Sequence, residues 1–221
     1  MDYIVADDIL IPPGDEAHFT EKTLRLPWYQ ANPSTRPSLP APLSRHDEGL
    51  PDDGFVFCCF NSPFKLSPDI FAAWMRILSA IDNAVLWMTV KDEDARANLR
   101  DAATSAGIPP DRLVFAAPTD RPTYFSRLAL ADLALDTFPY GAGTMASDSV
   151  WTGLPTVTMS GDTFASRMCA SVLAACGVED TVATTIEDYE KIALTLAKDP
   201  AAMTALRHRI VSSKHQSGLF S

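Results

Sequence analysis

From residue 53 onward the chain alternates short, continuously apolar runs with longer stretches of helical periodicity, and this alternation restricts its fold more than any other feature. Phe55–Phe60 (FVFCCF) has no polar residue to turn toward water, as expected of a strand covered on both faces. Ser67 and Pro68 then supply an N-cap and a first-turn proline, and Phe71, Trp74, Met75 and Leu78 follow at helical spacing. The same reading predicts a strand at Ala84–Met88, a helix at Asp92–Ala106 closed by Gly107 and Pro109, a strand at Leu113–Ala116, a helix at Thr123–Leu130 and a strand at Leu133–Asp136. A glycine-bearing loop leads into a helix at Thr144–Trp151. A strand at Thr156–Met159, a helix at Phe164–Cys176 ended by Gly177, and helices at Ile186–Ala197 and Pro200–Val211 complete the series. Such repetition predicts an α/β fold: a Rossmann-like parallel sheet with helices on both faces and a ligand crevice beyond the C-terminal strand ends.

Residues 1–52 read differently. Pro12, Pro13, Pro27, Pro33, Pro37, Pro40, Pro42 and Pro51 crowd this stretch, and such density sustains neither helices nor central strands. It is expected to be an extended arm or connector, with the lobe itself at 53–221. A hydrophobic share of 47% and a charged share of 21% are ordinary for a soluble globular chain. A net charge of −10 leaves no surplus of cations for a polyanion, so nucleic acid is not an expected partner, whereas a local basic pocket for one pyrophosphate stays compatible. No apolar run reaches the roughly 18 residues of a membrane span, and the N-terminus has no signal-peptide pattern, so a cytoplasmic protein without membrane contact is expected. Cys58, Cys59, Cys169 and Cys176 lack zinc-ligand spacing and read as buried free thiols. His18, His46, His208 and His215 fall outside the strand-end loops, so no metal site and no general base is expected from them.

Two segments carry the best candidates for chemistry. Asp136–Asp148 (DTFPYGAGTMASD) runs from a strand end through glycines into a helix, and a helix N-terminus offers unpaired N–H groups and partial positive charge to phosphate. Thr144 can add a hydroxyl there, and Asp148 can accept from a ribose hydroxyl or orient the loop. No GK[ST] follows, so this is not a Walker A loop, and many strand–glycine–helix turns bind nothing. Asn61–Lys65 (NSPFK) follows the first buried strand, where a lysine reaches a pyrophosphate as a mobile charge; a solvated loop lysine would account for it as well. Arg121 and Arg127 flank another helix start and suit either a base or phosphate contact, or a plain salt bridge.

Taken together, FNSPFKLSPDIFAAWMRIL, VLWM and LADLALDTFPYGAGTMASDSVWTGLPTVTMSGDTFASRM resemble the C-terminal catalytic half of the O-GlcNAc transferases, especially the bacterial and SPINDLY types. MDYIVADDILIPP and FTEKTLRLP are similar to the segment linking that family's two catalytic lobes. The resemblance implies a GT-B enzyme that transfers N-acetylglucosamine from UDP-GlcNAc to Ser or Thr hydroxyls of a protein acceptor, with inversion and with no metal or cofactor. It implies Lys65 as the catalytic support of the departing diphosphate. Ser62 stands where Gln or Asn is common, and Thr119, Arg121, Tyr124 and Arg127 fall in the segment facing the uracil. Gly143, Thr144 and Met145 fall on the His-Thr-Thr phosphate motif, and Asp148 on the ribose-side aspartate. Gly143 and Met145 depart from that motif, as do Tyr124 (usually His) and Phe64 (often Tyr). Each departure removes a donor worth about 1–3 kcal/mol against a charged phosphate. The resemblance also implies that the family's catalytic histidines, in an N-terminal lobe, and its tetratricopeptide repeats lie outside this sequence, and that the lobe is cut short at its C-terminus. Little transfer is expected from the chain alone. GDP-fucose or UDP-glucose as donor, or a degenerate non-catalytic nucleotide-binding module, are the alternatives.

Overall fold

The computed structural model describes residues 2–30, 32–33, 43–214 and 216–220. Pro37, Pro40, Pro42 and His215 lie outside them. In chain order the main elements are β1 (Tyr3–Ala6), β2 (Lys22–Arg25), β3 (Val56–Cys59), α1 (Pro68–Ser79), β4 (Val85–Met88), α2 (Glu93–Ser105), β5 (Leu113–Phe115), α3 (Arg121–Leu130) and β6 (Leu133–Leu135). They continue with α4 (Thr144–Thr152), β7 (Thr156–Met159), α5 (Phe164–Ala175), β8 (Val182–Ala183), α6 (Ile186–Lys198) and α7 (Pro200–Ser213).

Strands β3 to β8 form one parallel sheet in the order β5-β4-β3-β6-β7-β8. Every residue of β3, β4, β6 and β7 is buried, which is why β3, β4 and β6 are unbroken apolar runs and β7 turns no charged residue to water, its Thr156 and Thr158 being buried too. From β3 the chain builds outward to β5, returns to β6 beside β3, and then builds the other way. The order therefore reverses between β3 and β6, and a crevice opens beyond the ends of those two strands. The predicted parallel Rossmann-like sheet is the observed one.

Local capping sets the helix starts. Asp92 accepts from the Ala95 N–H at 2.8 Å and Asp120 from the Thr123 N–H at 2.9 Å. Because Asp120 caps and Pro122 fits the first turn, α3 begins at Arg121, two residues ahead of the sequence-based boundary. Strand β8 has only two residues, too short for a hydropathy pattern, and it was not expected.

Residues 1–52 hold more regular structure than their proline content predicts. β1 and β2 pair in parallel, Tyr3 opposite Lys22 through Ala6 opposite Arg25. β1 ends ahead of the first prolines, Pro12 and Pro13, and β2 fits between these and Pro27, so the prolines flank the strands without interrupting them. Ala6, Leu10 and Ile11 form a small core that packs on Phe164 and Met168 of α5. Polar links reinforce that contact: Arg167 reaches Asp15 at 3.2 Å, and the Ser171 hydroxyl donates to Asp7. The other side of the pair exposes Tyr3, Val5, Leu24 and Leu26. Among the described residues no helix is long and apolar enough to cross a membrane.

Candidate nucleotide-binding site

The loop after β6 is shaped by Asp136, a buried carboxylate at the strand end. It accepts from Asn61 Nδ2 at 2.8 Å, the Thr137 N–H at 2.8 Å, the Ala142 N–H at 2.9 Å and the Thr158 hydroxyl at 2.7 Å. Its carbonyl oxygen accepts from the Tyr189 hydroxyl at 2.9 Å, which in turn accepts from Trp74 Nε1 at 3.0 Å. Burial pushes the Asp136 carboxyl above the usual carboxylate range, and the hydrogen bonds oppose that shift. The ends of β3, β6 and β7 are thus tied to one carboxylate, with the FPYGA loop folded back over it. Sequence reasoning placed Asp136 at a strand end without seeing this role, because its partners come from three separate segments.

That fold-back brings the two candidate segments together. Lys65 Nζ donates to the Gly141 carbonyl at 2.9 Å and lies 3.9 Å from the centre of the Tyr140 ring. Partial burial lowers the pKa of its ammonium, with Asp136 as the leading opposing influence. Gly143 precedes α4 with no side-chain cap, so the N–H groups of the first turn have no side-chain acceptor from that residue. Thr144 is exposed at the helix start. Met145 is buried in the core, so it and Gly143 have only backbone groups to offer a ligand. Ser62 is exposed on the neighbouring loop, and its carbonyl accepts from the Lys65 N–H at 3.0 Å.

A cleft of ≈ 320 Å³ lies beside this corner, with Thr119, Arg121, Tyr124 and Arg127 in its wall together with Phe60 and Lys91. The Tyr124 and Phe60 rings lie 6.0 Å apart, and Phe60 packs edge-on against Trp87, which gives the cleft an aromatic floor. The arginines differ. Arg127 is nearly buried and committed: it pairs with Glu48 at 2.8 Å and donates to the Ala117 carbonyl at 2.5 Å, holding the loop that carries Thr119. Arg121 is half-exposed and meets the buried Asp148 carboxylate at 3.3 Å, which joins the cleft to α4. Lys91 and Glu48 were not singled out from the sequence, because neither stands in a recognisable motif. A cleft of ≈ 630 Å³ at the β8 edge, between α6 and α7, has none of these residues in its wall. Among the described residues no group of three or more His, Cys, Asp or Glu side chains is gathered to hold a metal ion.

Residues 30–221 match the family model for glycosyl transferase family 41. A probable UDP-N-acetylglucosamine–peptide N-acetylglucosaminyltransferase, SEC, of Arabidopsis thaliana is 29% identical over 233 residues, spanning 100% of this chain and 23% of that protein. The UDP-N-acetylglucosamine–peptide N-acetylglucosaminyltransferase of Caenorhabditis elegans is 34% identical over 177 residues, spanning 80% of this chain and 15% of that protein. The chain therefore corresponds to less than a quarter of either relative. A mutant O-GlcNAc transferase of Thermobaculum terrenum superposes with a TM-score of 0.86 at 31% identity, over 99% of this chain and 41% of that one. With the family model matched over residues 30–221 and the fold superposing over 99% of its length, the chain belongs to glycosyl transferase family 41, and its sheet is the Rossmann-like sheet of a GT-B C-terminal lobe.

Proposed function

We propose that this chain is the donor-binding lobe of a protein O-linked N-acetylglucosaminyltransferase, holding UDP-GlcNAc across the ends of β3 and β6. The observation that carries the reading is the convergence of Lys65, the uncapped start of α4 and the aromatic cleft at the one place where the strand order reverses. In this reading the diphosphate sits between Lys65 and the first turn of α4, where the ammonium, the helix N–H groups and the Thr144 hydroxyl offset the charge of the departing UDP. The base enters the cleft lined by Thr119, Tyr124 and Lys91. Asp148, oriented by Arg121, accepts from the ribose. No metal is needed, because Lys65 and the helix terminus supply the positive charge.

Acceptor activation is assigned to residues beyond those described. His18, His46 and His208 lie outside the crevice loops, Asp148 is paired, and Asp136 is buried under four donors. The exposed apolar side of β1 and β2 supports a covering lobe, since parallel strands are rarely left open to water. Donor binding without an oriented Ser or Thr hydroxyl forgoes a proximity advantage of about 7–11 kcal/mol, so the chain alone is expected to bind donor and to transfer little. The cytoplasm is the proposed setting, in keeping with four buried cysteines that are all free thiols. Calorimetric titration with UDP and then GDP, with Lys65→Ala as control, tests the reading. UDP binding abolished in the variant supports it, a preference for GDP moves the donor to a guanosine sugar, and no binding by the folded chain refutes it.

A further inference from the structure

The space that a side chain at position 143 would fill is already occupied by the connector. A Cβ on Gly143 would stand 2.7 Å from Met168 Cε and 3.1 Å from the Tyr29 hydroxyl oxygen. Tyr29 is held there from several sides. Its N–H donates to Asp7 Oδ2 at 3.1 Å, and its ring meets Phe164 edge-on at 6.3 Å. Its hydroxyl donates to Gln30 Oε1 at 3.1 Å. Gln30 Nε2 donates in turn to Ser147 Oγ at 3.1 Å, and that hydroxyl donates to the Thr144 carbonyl at 3.0 Å. A continuous run of hydrogen bonds thus leads from residues 29–30 into the first turn of α4, across 117 positions of sequence. Burial keeps the Tyr29 phenol protonated throughout the ordinary pH range, so it is a permanent donor.

We propose that Tyr29 and Gln30 are specificity-determining residues for the donor's diphosphate. They supply from the connector the polar wall that a side chain at position 143 would otherwise provide. The inference rests on the donor-site reading given above. A hydroxyl rotates freely about its C–O bond, so the Tyr29 proton turns from Gln30 to a phosphate oxygen seated at the start of α4, while Gln30 holds that turn in place through Ser147. The glycine at 143 is what lets the connector approach so closely.

The test compares affinities for UDP and uridine in the wild-type chain, Tyr29→Phe and Gln30→Glu, with a thermal melt of each. Tyr29→Phe is expected to weaken UDP roughly tenfold, the worth of one hydrogen bond to a charged acceptor, and to leave uridine unchanged. Gln30→Glu sets a carboxylate beside the phosphates and is expected to weaken UDP further, with the loss eased by added salt. A purely structural role would lower the melting temperature and shift both ligands together, and that result overturns the proposal. An unchanged ratio of UDP to uridine affinity in both variants also overturns it, while leaving the donor site intact. A wild-type chain that binds UDP no better than uridine removes the donor-site reading and this inference together.

Discussion

Replacing Asp136 with Ala removes the shared acceptor of Asn61, Thr137, Ala142 and Thr158. Each hydrogen bond to a charged acceptor contributes about 1.5–3 kcal/mol, and the desolvation of the carboxylate itself offsets several kcal/mol of that sum. The expected net loss is about 3–5 kcal/mol, because the Asn61 amide and the Thr158 hydroxyl stay buried without an acceptor. Against a typical domain stability of about 5–15 kcal/mol this is a large share. Asp136→Asn keeps the shape and one oxygen for the two N–H groups, so it is expected to cost less. Urea unfolding followed by the fluorescence of the buried Trp74 and Trp87 measures both. The pH dependence supplies a second check. Burial holds the folded carboxyl above its unfolded value of about 3.9, so the folded state retains a proton that the unfolded state releases. The contribution of Asp136 is therefore fully present below that value and declines as pH rises through the folded pKa. Asp136→Asn lacks this decline, and the gap between the two proteins narrows as pH climbs through the window. An Ala variant within about 1 kcal/mol of wild type, or a gap that widens with pH, would refute the argument.

Two further outcomes follow from the same geometry. Because burial lowers the Lys65 pKa, UDP affinity is expected to be full below that pKa and to fall as pH rises through it, at a lower pH than for an exposed lysine. Titrations of the wild-type chain in buffers of different ionisation enthalpy should then show proton uptake on UDP binding at alkaline pH, and binding heats that do not depend on the buffer there would contradict the assignment to Lys65. Glu48→Ala strands the nearly buried Arg127 guanidinium, at a cost of about 3 kcal/mol, and loosens the Ala117 carbonyl loop. Uridine affinity should drop with it, and a variant as stable as wild type would contradict the pairing.

Much of the lobe was legible because its signals are local. FVFCCF and VLWM must be strands buried on both faces, since neither run contains a residue that tolerates water, and Ser67 and Asp92 mark helix starts through bonds no more than three residues away. Lys65 and the loop before Thr144 were found for the same reason: each directly follows its own strand. Other features were not legible. Residues 1–52 read as an extended arm or connector because proline density masks strands as short as Tyr3–Ala6, and a two-residue strand such as β8 carries no period at all.

What tertiary structure alone decided is which distant side chains share a donor, an acceptor or a charge. Arg127 could be read along the chain as a ligand contact or as a salt bridge, and only the fold paired it with Glu48, as it brought Arg121 from another helix to Asp148. Asp136 became the organiser of the crevice only when β3 and β7 closed on either side of β6. Gly143, a lost donor by sequence, proved to be the opening through which Tyr29 and Gln30 reach α4. Apolar periodicity and capping are written over a few consecutive residues and so can be read along the chain. Hydrogen-bond partners in a parallel sheet are brought together by crossovers of dozens of residues, and only the closed fold records them.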